Sequence, residues 1–143
     1  MILLRRCLIF SLLLGPIHTA FADTANLIVT VVGVSPNQGA VNVSVFDSPQ
    51  TYLDKPFLEI QERPGDSDSV DVLIEDLAHG DYALSVHYDA DDDGVMDTRI
   101  FGIPKEPVGF SNDARGRFGP AKWEDSRFTL DQDMQIRVNL VTP

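Results

Sequence analysis

Cysteine is all but missing from this chain. Its one cysteine, Cys7, falls in the first 22 residues, so the rest has no thiol for a disulfide, a soft metal or nucleophilic chemistry. Cations are scarce too: 11 Lys and Arg stand against 22 Asp and Glu, a net charge of −11. That balance argues against nucleic acid or an anionic membrane as partner, since both are bound through clustered basic residues. No apolar run approaches the length of about 20 residues that a spanning helix needs. Phosphate-binding glycine loops, dinucleotide fingerprints, internal repeats and low-complexity tracts are all absent.

The longest apolar stretch opens the chain and reads as an export signal. Arg5 and Arg6 form a basic start, and residues 7–17 are apolar apart from Ser11, Gly15 and Pro16. Ala20-Phe21-Ala22 then places small residues ahead of Asp23, the pattern read by a signal peptidase. The alternative, a buried N-terminal helix or strand, lacks any amphipathic pattern. The expectation is a cleaved leader over residues 1–22, a single domain over residues 23–143, and a periplasmic or extracellular location. Cleavage removes Cys7, Arg5 and Arg6 but no acid, leaving 22 acidic and 9 basic residues and a net charge of −13.

Beyond the leader the hydrophobic period is two. Val41, Val43 and Val45 alternate with Asn42 and Ser44; Val70, Val72 and Ile74 alternate with Asp71 and Glu75. The same holds for Tyr82, Leu84, Val86 and Tyr88, and for Met134, Ile136, Val138 and Leu140. Shorter strands are expected around Phe57 to Ile60 and at Phe128 to Leu130. The segment from Leu27 to Val32 is apolar enough to be buried on both faces. Such alternation marks strands with one face on a core. Ser35-Pro36-Asn37-Gln38-Gly39, Arg63-Pro64-Gly65-Asp66 and Ala78-His79-Gly80-Asp81 supply the turns. A single helical turn is expected over Ser48 to Leu53. About seven short strands in a domain of this size predict an all-β fold, an antiparallel β-sandwich with one long loop between the late strands. That loop, residues 89–125, is too rich in Phe, Ile and Trp for disorder, and loops of such length in compact domains are commonly functional.

The loop begins with Asp89-Ala90-Asp91-Asp92-Asp93-Gly94-Val95-Met96-Asp97. Carboxylates at relative positions 1, 3, 5 and 9, with Gly at 6, make up most of an EF-hand calcium loop. A chain curling round a hard cation turns alternate side chains inward, and the position-7 carbonyl, here of Val95, adds an oxygen. Position 12, where a bidentate Glu belongs, is Ile100, and a strand enters the loop instead of a helix. A true EF-hand is thereby excluded. The expected metal set is Asp89, Asp91, Asp93, Val95 and Asp97, completed by a distant carboxylate or water, with calcium held at about 10⁻⁴–10⁻³ M. The plainer alternative is a solvated turn whose Asp side chains cap backbone amides. Zinc and copper do not suit a region without Cys or a histidine cluster.

Next come Gly102-Ile103-Pro104-Lys105-Glu106-Pro107-Val108-Gly109-Phe110-Ser111-Asn112, then Phe118-Gly119-Pro120 and Trp123-Glu124-Asp125. Together with the acidic loop, these elements resemble a group of exported bacterial proteins catalogued as a domain of unknown function. Its hallmark is an Asp/Asn/Gly-rich loop followed by G-I-P-x-E-x-x-G-F-S-N. This chain has Asp at loop positions where relatives often have Asn, and Gly119-Pro120-Ala121 where a proline-rich step is usual. The resemblance implies a transthyretin-like or immunoglobulin-like sandwich at the periplasm or cell surface, and implies no activity. Read from the residues, the segment is either a lid in which Ile103, Phe110, Phe118 and Trp123 seal one end of the core, or a recognition surface for a sugar or peptide. Glu106, Phe110, Asn112 and Trp123 are its candidate ligand-binding residues.

No catalytic constellation stands out. His79 lies in a turn, His87 on the expected exposed face of its strand, and Ser111 in no nucleophile-elbow context. The leading expectation is a non-enzymatic binding module with calcium in its Asp-rich loop and a protein, peptide or glycan as ligand. The alternatives are a structural or adhesive envelope component without metal or small-molecule ligand, and a hydrolase.

Overall fold

The period-two segments become strands in the computed structural model, which describes residues 23–143. The expected export signal lies outside the described residues. Among the described residues eight strands follow one another: β1 (Thr24–Val32), β2 (Ala40–Phe46), β3 (Leu58–Glu62), β4 (Ser69–Ala78), β5 (Gly80–Asp89), β6 (Val108–Phe110), β7 (Phe128–Leu130) and β8 (Met134–Asn139). A four-residue helix, α1 (Trp123–Ser126), precedes β7. The fold is all-β, with two sheets arranged as a sandwich. One has the order β4-β1-β8; the other runs β3-β2-β5-β6, with β7 pairing β5 beside β6. Every pairing is antiparallel except β1 with β8, which is parallel.

The inward side chains meet in one cluster. Leu27, Val29 and Val31 of β1, Val72 and Ile74 of β4, and Val138 of β8 face Val41, Val43 and Val45 of β2 and Leu84 and Val86 of β5. Tyr82 and Tyr88 extend the β5 row, and their hydroxyls donate to the carbonyls of Ala78 (2.9 Å) and Gln38 (2.8 Å). These bonds offset the cost of burying a polar tip. Beyond Ile74, β4 carries a bulge. Asp76 takes φ +56°, its N–H donates to Asn26 Oδ1, and the register shifts so that Leu77 again points inward.

Several local expectations need correction. Ile28, Thr30 and Val32 are half-buried, because among the described residues no element is layered over the outer face of β1. Residues 48–53 form turns, with Asp54 and Lys55 both donating to the Thr51 carbonyl and Leu53 at φ +61°. Phe57 precedes β3 and is exposed, and β8 stops at Asn139. The β1–β8 pair departs from the otherwise antiparallel pattern.

The sandwich positions the site through β5. Its first residues pair with β7 and its middle with β6, so the chain leaves at Asp89, makes a long excursion, and returns twice to the same edge. A Val108–Val141 bridge then links that edge to the chain beyond β8.

Candidate functional site

Asp89 ends β5 with its side chain enclosed, 0% exposed. The chain then curls back on it. Asp92 at φ +59° and Gly94 at φ +78° take left-handed conformations, which aim backbone N–H groups at the Asp89 carboxylate. The Asp93 N–H donates to Oδ1 (3.2 Å) and the Gly94 N–H to Oδ2 (2.8 Å). Gly39 makes room on the other side: a Cβ there would lie 2.4 Å from the Asp89 carbonyl oxygen, and its φ is +71°. After the curl, residues 97–105 form a small hairpin closed by a Thr98–Pro104 bridge, with the Lys105 N–H donating to the Asp97 carbonyl (2.8 Å).

The hairpin delivers Glu106 under the loop. Its Oε1 accepts the Ala90 N–H (3.1 Å), and its Oε2 accepts the Asp97 N–H (3.2 Å) and lies 2.6 Å from His87 Nε2. Glu106 therefore clasps both ends of the acidic loop while held from β5 by His87. Both side chains are nearly enclosed, 9% and 15% exposed. His87 is thus neither exposed nor a free base. The carboxylates of Asp89, Asp91 and Glu106 offer oxygens that all lie within 4.8 Å of one another.

The side chains of the other expected ligands are engaged elsewhere or outside this three-carboxylate group. Asp93 turns its Oδ1 to the Val95 N–H (2.8 Å). The Asp97 carboxylate pairs with Lys105 Nζ (3.2 Å), and Val95 is exposed. Asp92 pairs with Arg63, tying the loop to the end of β3. Sequence reasoning placed Glu106 in a recognition surface and missed its place beside Asp89 and Asp91. The available signal was that it is the acid in the G-I-P-x-E segment, which must fold back on the strand it follows.

The electrostatics of the cluster are uneven. Burial alone would push the Asp89 carboxyl up, but the N–H groups of Gly94, Asp92 and Asp93 outweigh it and hold Asp89 below the usual carboxylate value. The Asp91 carboxyl is raised, first by the charge of Asp93, then by desolvation and by its hydrogen bond with Asp89. Asp91 thus carries the mutual repulsion of the loop.

Beyond Glu106 the long loop makes specific contacts with the sandwich. Gly109 sits where a Cβ would lie 2.6 Å from Val138 Cγ1. Buried Ser111 accepts the Leu84 N–H (2.9 Å) and donates to the Ser126 carbonyl (2.5 Å). Asn112, at φ +60°, donates to the carbonyls of Asp125 (3.2 Å) and Arg127 (2.9 Å). Trp123 stands edge-on to Tyr52, 5.7 Å between centroids, and Phe110 is half-buried on β6. The four candidate recognition residues are therefore not brought together. The lid expectation is corrected at two positions: Phe118 is 97% exposed and Ile103 is also exposed. A hollow of about 490 Å³ lined by Arg115, Arg117, Phe118 and Lys122 belongs to this one loop and lies apart from the acidic cluster. Among the described residues, no helix is long and apolar enough to cross a membrane.

Comparison with solved structures finds similarity to a fimbrial assembly protein from Parabacteroides distasonis, at 12% identity and a TM-score of 0.43. The alignment covers 85% of this chain and 53% of that one, so the chain spans about half the length of its structural neighbour. No curated protein matches. A bacterial family does match, over residues 29–137, most of the two sheets and the whole acidic loop. The chain belongs to that family, described as "Uncharacterized protein conserved in bacteria (DUF2141)".

Proposed function

We propose that this protein is an exported, non-enzymatic binding module whose acidic loop takes calcium. One observation carries the reading: Glu106 returns from the hairpin to set a third carboxylate beside Asp89 and Asp91. It stands in for the acid missing from position 12 of the loop.

The donor set fits a hard cation. Calcium takes 6–8 oxygens, and the three carboxylates provide the charged share, with loop carbonyls and water left to supply the rest. The Asp91 carboxylate accepts from fewer backbone N–H groups than Asp89 and is the one left most open to a cation. A cation would also offset the repulsion borne by Asp91. The export signal supports the reading, because a site with about 10⁻⁴–10⁻³ M affinity fills only where calcium is plentiful. His87 is engaged by Glu106, and so helps hold the loop against β5.

Thermal melts in excess calcium and in chelator test this, with magnesium as the control ion. A hundredfold excess over the dissociation constant stabilises by about 2.7 kcal/mol, a rise of roughly 10 °C for a domain of this size. Asp91→Asn should abolish most of that rise. Coincident melts in calcium and chelator would leave a metal-free structural or adhesive component of the envelope as the better account.

A further inference from the structure

The outer face of the sheet that carries Glu106's partner His87 has a regular composition. Antiparallel register places Gln61, Asn42 and His87 directly opposite one another across β3, β2 and β5. Glu59, Ser44 and Ser85 form a second row beside the first. Five of these six side chains are neutral hydrogen-bonding groups or imidazole, in a chain that is 23% charged. The array lines a groove. Gly94 and Met96 of the acidic loop border it, and together these residues line an open groove of about 440 Å³, within the range of about 300–1,000 Å³ typical of small-ligand sites.

We infer that this groove binds an uncharged saccharide. The inference rests on reading the chain as a binding module, and it names the ligand class. Serine hydroxyls and Asn or Gln amides both donate and accept, as sugar hydroxyls require. Asn42 Oδ1 already accepts from Gln61 Nε2 (3.0 Å), which fixes both amide orientations. Glu106 holds His87 through Nε2, leaving the other ring nitrogen for the groove. With strands about 4.8 Å apart, three strands and two rows span roughly 10 by 7 Å, the footprint of one or two sugar rings. Apolar surface for the C–H face of a ring comes from Met96, which lines the groove; Phe110 continues the Ser85 row on β6 beside it.

Charge decides between ligand classes. Glu59 in the lining, together with the chain's net charge of −11, repels an anion. A cationic peptide would find one free carboxylate in the lining, Glu59, because the Glu106 carboxylate is already engaged by three donors. The lining offers no lysine or arginine to pair with an acidic sugar.

The test is amide chemical-shift mapping on the purified protein in calcium. The probes are maltotriose, cellotriose, xylotriose and chitotriose at millimolar concentration, with oligolysine and oligogalacturonate as charged controls. The expected result is a saturable shift of Asn42, Ser44, Gln61, Ser85 and Met96 with at least one neutral trisaccharide. In an Asn42→Ala/Ser85→Ala variant the affinity should fall by about tenfold or more, while the melting temperature rise in calcium stays that of the parent. If no neutral probe moves these amides, or if a charged control binds there more tightly, the inference is overturned. Because calcium is read separately by melting, its failure would not be mistaken for failure of the groove.

Discussion

Replacing Glu106 by glutamine separates the two tasks given to that side chain. The carboxylate accepts from the Ala90 and Asp97 N–H groups and from His87. A glutamine keeps the shape but has one oxygen. Turned to retain Asp97 and His87, its NH₂ confronts the Ala90 N–H; turned the other way, it loses two partners. The milder case removes one hydrogen bond to a charged acceptor, worth about 1.5–3 kcal/mol, and leaves a donor unpaired. Glu106→Gln should therefore cost about 2–3 kcal/mol in chelator, or roughly 8–12 °C in melting temperature at about 4 °C per kcal/mol. Asp97→Asn, whose ion pair with Lys105 is half exposed, should stay within about 0.5 kcal/mol of the parent. In calcium a second effect appears. If the loss of one ligand weakens affinity tenfold, the calcium-dependent gain shrinks by about 1.4 kcal/mol. Calorimetry with and without calcium reads both quantities. A variant that melts with the parent in chelator refutes the clasp; an unchanged calcium increment refutes Glu106 as a ligand.

The other predictions concern the supports of the site. Ser111→Ala leaves the Leu84 N–H and the Ser126 carbonyl without their partner, so urea denaturation should show a loss of about 3 kcal/mol with the calcium increment intact. Gly39→Ala forces an alanine to φ +71° and drives its Cβ into the backbone at Asp89. It should cost about 2 kcal/mol or more and, unlike Ser111→Ala, should also reduce the calcium increment. Acid titration in chelator follows from Asp89, whose folded carboxyl lies below its ordinary value of 3.8. Its contribution is present above that value and lost as pH falls through the lower, folded one. Asp91, being raised, contributes in the opposite sense: its share is present below 3.8 and lost as pH rises through the raised value. Asp89→Asn should therefore flatten the fall in melting temperature between about pH 5 and pH 2.

Alternation made the long strands legible. Val41, Val43 and Val45, and Tyr82 to Tyr88, have one face on the core, and their spacing alone reports it. The short elements carry no such period. Three residues of β6 and four of α1 are held by Ser111, Asn112 and Trp123 contacts across the molecule, which no local window contains. At the site, the Asp spacing located the curl around Asp89 correctly, but spacing along a loop does not give direction. Asp93 and Asp97 are turned away by a backbone N–H and by Lys105. Glu106 is turned in because the chain after Asp97 folds into a hairpin that carries it back to β5, where His87 meets it. His87 reads as an outward strand residue, and so it is; the loop that covers it is what encloses it.

The parallel contact between β1 and β8 has a kinetic consequence. Partners in this part of the sheet lie 107 residues apart in sequence, as the Asn26–Asp133 hydrogen bond shows, and β1 is the central strand of its sheet. That sheet cannot be completed until almost the whole chain is free to collapse, and closing so long a loop is slow relative to local pairing. The β2–β3 hairpin can assemble early, whereas β8 must dock last against a strand made near the beginning. A polypeptide threaded through a membrane pore, amino end first, would therefore remain open for most of its passage and fasten only as its final strand emerged.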